Sequence, residues 1–98
     1  MTVRYHNINV ANFNLVNFVV QGDGVGTAVS VDMNLPPFNI SFNGVPPELC
    51  TVDSGNIPAT AEIVEDGNGH YILTVTFSSP PPADNTLGVN VGFSYNTL

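Results

Sequence analysis

Tyr71-Ile72-Leu73-Thr74-Val75-Thr76-Phe77, entered from Asp66-Gly67-Asn68-Gly69 and His70, carries the reading of the fold. Tyr71, Leu73, Val75 and Phe77 recur with a period of two. Successive side chains of a strand point to opposite faces, so this stripe predicts a strand with one face toward a core. The pattern repeats on both sides. Leu87, Val89, Val91, Phe93 and Tyr95 make the longest stripe; Val29, Val31, Met33 and Leu35 alternate with Ser30, Asp32 and Asn34; Phe38, Ile40 and Phe42 alternate with Asn39, Ser41 and Asn43. Pro36-Pro37 sits between the last two and reverses their phase. Helical periodicity is almost absent.

Breakers fall between these runs. Prolines cannot donate to a ladder and glycines supply positive φ, and Gln21 to Gly26, Pro46-Pro47, Asp53 to Asn56, Asp66 to Gly69 and Ser78 to Pro82 punctuate the chain. Strands are therefore expected over residues 3–10, 13–20, 27–35, 38–43, 60–65, 70–77 and 86–95, with room for a short edge piece at 49–52. About seven short strands at this spacing predict an all-β chain, a two-layer antiparallel β-sandwich forming a single domain over residues 1–98.

Two resemblances bear on the strand order. Gly69-His70-Tyr71-Ile72-Leu73-Thr74-Val75, entered from the Asp/Gly-rich turn and followed by a last long strand over Thr86 to Tyr95, resembles the penultimate strand of bacterial immunoglobulin-like modules. That likeness covers the last third of the chain and implies an immunoglobulin-like or related Greek-key order. Tryptophan is absent and Cys50 is alone, which excludes the antibody-type subclass. At the other end, His6 to Val10, Ala11 to Leu15 and Val16 to Val20 form three pentads similar to the pentapeptide-repeat solenoid. A solenoid needs many stacked coils to bury a core. The pentads are read instead as two strands whose phase slips at Ala11-Asn12.

Composition excludes several activities. Arg4 is the single Lys or Arg of 98 residues, against eight Asp and Glu, so the chain is acidic and lysine-free with a net charge of −7. One arginine cannot replace the counterions of a phosphate backbone, which argues against nucleic acid, and the same charge opposes attachment to an anionic membrane surface. Without lysine there is no Schiff base and no P-loop. Catalysis fares no better, because His6, His70 and Cys50 stand in no known spacing with a Ser or Asp partner. His70 reads as a surface histidine in the polar phase of its strand, and Cys50 as a small buried residue. No catalytic residue, cofactor site or enzyme activity is expected. A lone cysteine leaves the cellular compartment open.

Two binding features remain. Leu15 to Val20 is apolar in both phases, so Val16, Phe18 and Val20, or their alternates, need a cover, either a neighbouring loop or a second copy of the chain. Asp23, Asp53 and Asp84 would converge at one end of an immunoglobulin-like order. There they offer a calcium site as the alternative to plain turn chemistry. The chain is thus expected to be a non-enzymatic structural or protein-interaction module that self-associates as a homo-oligomer. The alternative is a carbohydrate- or calcium-binding sandwich using loops at one end. A protein or glycan partner fits either reading, and the absence of tryptophan favours the first.

Overall fold

The computed structural model describes residues 2–9, 14–36, 38–39 and 48–94. Among these residues seven strands form: β1 (Thr2–Asn9), β2 (Asn14–Gln21), β3 (Ala28–Asp32), β4 (Glu48–Asp53), β5 (Ala59–Glu65), β6 (Tyr71–Phe77) and β7 (Thr86–Ser94). They build two antiparallel sheets, one ordered β1-β2-β7-β4 and the other β3-β6-β5. The described residues contain no helix.

Register aligns the apolar phases of neighbouring strands. In the first sheet Val16 lies opposite Val91, Phe18 opposite Val89 and Val20 opposite Leu87. In the second, Leu73 lies between Val31 and Ile63, and Val75 between Val29 and Ala61. These faces meet in one core that joins both sheets, where Val16, Phe18, Val20, Leu73, Val89, Val91 and Phe93 are fully buried. Complete burial of one such side chain stabilises the fold by roughly 1.5–3 kcal/mol. Core packing is therefore the dominant force holding the layers together. Among the described residues the one buried polar side chain is Ser54, whose Oγ donates to the Ile57 carbonyl.

Three expectations change on contact with the structure. Strand 27–35 ends at Asp32, because the Asp32 carboxylate accepts the Asn34 N–H and turns the chain. Met33 still donates its N–H to the Tyr71 carbonyl and stays buried. Phe38 and Asn39, placed at the start of a strand over 38–43, belong instead to this turn: both N–H groups donate to the Leu35 carbonyl, and Asn39 has a φ of 51°. Residues 40–43 lie outside the described residues, as do Ala11 and Asn12, where the phase slip is expected. The edge piece at 49–52 is a full strand, β4, paired to β7 with a register shift between Leu49 and Thr51.

The order of the strands also departs from the immunoglobulin one. With strands lettered in chain order, the constant-type domain places its fifth strand between the second and fourth, and its seventh beside the sixth. Here β5 and β7 have exchanged those places. The connections give the reason. Asp66 to His70 is a tight loop, which makes β5 and β6 a hairpin in one sheet. The longer proline-rich connection from Ser78 to Asn85 lets β7 cross to the other sheet.

Candidate functional site

Val16, Phe18 and Val20, the expected association surface, lie inside the core at 0% exposure. Both phases of β2 are apolar because one fills the core; of the other, Asn17 and Val19 are half-buried. Across the sheet, Asn17 Nδ2 donates to Asn90 Oδ1. The three residues are therefore core residues rather than a surface for a second copy.

Asp23, Asp53 and Asp84 do not converge. The loops bearing Asp23 and Asp84 do touch, through Gly22 N–H to the Asn85 carbonyl at 2.8 Å and Gly24 N–H to the Pro81 carbonyl at 2.9 Å. Asp53, however, pairs with Asn90 on β7, four positions from Thr86, a separation of roughly 13 Å along a strand. Two of the three are occupied by turn chemistry. Asp23 Oδ1 accepts the Val25 and Gly26 N–H groups at 2.9 and 2.8 Å, and Asp53 Oδ1 accepts that of Gly55 at 3.0 Å. The N–H groups of Gly26 and then Val25 hold the Asp23 carboxyl down at about 2. Asp84 takes a left-handed backbone, φ 64°, as turn residues do.

A different constellation forms at the mouth of the β5–β6 hairpin. Asp66 Oδ1 accepts the Asn68 N–H at 2.8 Å and the His70 N–H at 3.2 Å, folding the turn back on itself. Asp32, the last residue of β3, accepts the Asn34 N–H with Oδ1 at 2.9 Å, while its Oδ2 stands 2.6 Å from His70 Nδ1. Asn34 Oδ1 in turn accepts the Tyr71 N–H at 2.7 Å. Asp32, Asp66 and His70 bring one donor atom each within 4.8 Å of one another, the group of this kind found among the described residues. The His70 and Asp32 side chains keep 39% and 22% of their surface in solvent.

The electrostatics follow from the contacts. The Asp32 hydrogen bond, then its charge, and last the charge of Asp66 raise His70 above its ordinary value, against a smaller opposing effect of burial. Burial pushes Asp32 upward, but the hydrogen bonds from His70 and the Asn34 N–H, with the charge of His70, outweigh it and hold the group low. Reading the strands singly misses this corner. His70 alternates as a surface residue should, and Asp32 reaches it only through the β3–β6 register, in which Asp32 faces Ile72. The legible signal was the i, i+4 pair Asp66 and His70 flanking a Gly-Asn-Gly turn.

The remaining chemistry-capable groups are placed by their backbone alone. His6 falls in the register shift of β1 between Tyr5 and Ile8, and Cys50 in that of β4; their side chains lie outside the described residues. On the outer side of the second sheet, Thr60, Ala61, Glu62, Thr74 and Thr76 line an open groove of about 310 Å³. Comparison with protein-family models, with curated proteins and with solved structures finds no match.

Proposed function

We propose that this chain is a non-enzymatic structural module, a two-layer β-sandwich of jelly-roll rather than immunoglobulin order, that works by associating with copies of itself. The pairing is that of a long hairpin wrapped on itself: β2 with β7 and β3 with β6, with β4 and β5 laid alongside. That is a jelly-roll path short of the usual eight strands. The observation that carries the reading is the use made of the carboxylates. Four of the five aspartates accept backbone N–H groups of their own turns, so the groups able to do chemistry serve the backbone.

The same distribution supports association through the second sheet. Its register sets Ala28, Thr76 and Thr60 in one outward row, Ser30, Thr74 and Glu62 in the next, and Asp32, Ile72 and Val64 in the third. Hydroxyls and small apolar groups predominate there, with Ser30 Oγ and Thr74 Oγ1 joined at 2.9 Å and Val64 52% exposed. The two carboxylates are Glu62 and Asp32, the latter paired with His70. Of the other six carboxylates, Asp23, Asp66 and Asp84 lie in turns and Glu48, Asp53 and Glu65 at strand ends. Two copies approaching through this face desolvate little charge.

Light scattering across a concentration series tests this. The expected mass rises above the 10.4 kDa of a monomer, and Val64→Lys, which places a charge in the face and on the outer strand β5, shifts the rise to higher concentration. A mass of 10.4 kDa at every concentration contradicts the reading.

A further inference from the structure

We propose that the corner formed by Asp32, Asp66 and His70 binds a borderline divalent transition metal, with zinc the ion its donor set fits best. This goes beyond the structural role and does not rest on it. One imidazole nitrogen and two carboxylate oxygens are a zinc-type set, with water able to complete the shell at this half-exposed position. Donors sharing a zinc ion at about 2.0–2.1 Å lie about 3.3 Å apart in tetrahedral geometry. The present spacing, within 4.8 Å overall and 2.6 Å between His70 Nδ1 and Asp32 Oδ2, reaches that by side-chain shifts without moving a strand.

Each carboxylate is already oriented for the task. Oδ1 of Asp32 is anchored on the Asn34 N–H, and Oδ1 of Asp66 on the Asn68 and His70 N–H groups. Such outer hydrogen bonds fix ligand direction and tune affinity. Charge argues the same way from an independent side. Two carboxylates face a single imidazole here, and the whole chain supplies one arginine and no lysine to offset them. On binding, the imidazolium form of His70 releases its Nδ1 proton to solvent and keeps the one on Nε2, the freed Nδ1 lone pair coordinates the ion, and the dication neutralises both carboxylates. Calcium is the poorer fit, because it takes oxygen ligands and the imidazole offers none. An ion here would fasten the end of β3 to the β5–β6 turn.

Calorimetric titration of zinc chloride, and separately calcium chloride, into the chelator-treated full chain tests the assignment. A His6→Gln, Cys50→Ser background removes the other soft donors. One zinc per chain is expected, weakened at least tenfold by His70→Gln and about tenfold by Asp66→Asn, with calcium giving no saturable heat. His70 is exposed enough for its replacement to leave the far-ultraviolet circular dichroism unchanged. Nitrogen resonances of the His70 ring in the unsubstituted chain give a second readout, and zinc should shift Nδ1. The assignment is overturned by absent zinc binding, equal affinity in either variant, calcium binding that survives His70→Gln, or a His70 ring indifferent to zinc.

Discussion

Asp23 illustrates how this chain satisfies its carboxylates with the backbone N–H groups of its own turns. Its Oδ1 takes the N–H groups of Gly26 and Val25, which favour the ionised form. The group therefore titrates near 2 in the folded chain and near 3.8 when free. A depressed carboxyl contributes stability that is complete above the unfolded value and is lost as pH falls through the folded one. Asp23 should then protonate with a midpoint close to 2, as read from its carboxyl carbon by NMR, while its loop stays closed at pH 4; a midpoint near 3.8 contradicts the two hydrogen bonds. That an Asp close before a Gly would close a turn was legible at Asp23-Gly24 and at Asp53-Ser54-Gly55, since the signal is local. Asp32 was not legible as a partner of His70. The two are 38 residues apart, and only strand register brings them together.

One turn in this fold is also a position of close approach, at Gly22. A β-carbon there would lie 2.3 Å from the Pro82 carbonyl oxygen and 2.6 Å from that of Pro81, both backbone atoms. Room cannot be made without breaking the Gly22 N–H bond to Asn85, which ties β2 to the start of β7. Gly22→Ala should cost about 2 kcal/mol. Gly88 meets nothing within 4 Å on the outer side of β7, so Gly88→Ala should stay within about 0.5 kcal/mol. Urea unfolding midpoints distinguish the two, and equal effects would contradict the packing of the 78–85 connection against β2. Alternation located β3, β6 and β7 to within a few residues, because each has one apolar face at a period of two, and the breakers between the runs bounded β2 and β5. It misplaced Phe38, which is buried in a turn and so satisfies the same pattern without being in a strand. It underestimated β4, where Leu49 and Val52 face the core out of phase because of the shift at Cys50.

The arrangement of the strands is where sequence reading departs furthest from the molecule. Two sheets with a shared apolar core follow from the stripes themselves. Which strand lies beside which does not, since β5 and β7 both carry an inward apolar face, small in β5 (Ala59, Ala61, Ile63) and larger in β7 (Leu87, Val89, Val91, Phe93), and alternation alone allows either in the slot between β2 and β4. Loop length decides it, and the Asp66 to His70 hairpin had already committed β5 to β6. The surface follows from the same choice. With β7 in the first sheet, Val16, Phe18 and Val20 are covered by the chain's own core, and the second sheet is left to present its hydroxyl-rich outer face. Backbone NOE contacts between strands test this order most directly. The account predicts cross-strand contacts joining Asn17 to Asn90 and Val19 to Gly88, together with Thr51 to Gly92. Contacts pairing Thr86 to Ser94 with Tyr71 to Phe77 instead would return the last strand to the sheet of β6 and contradict it.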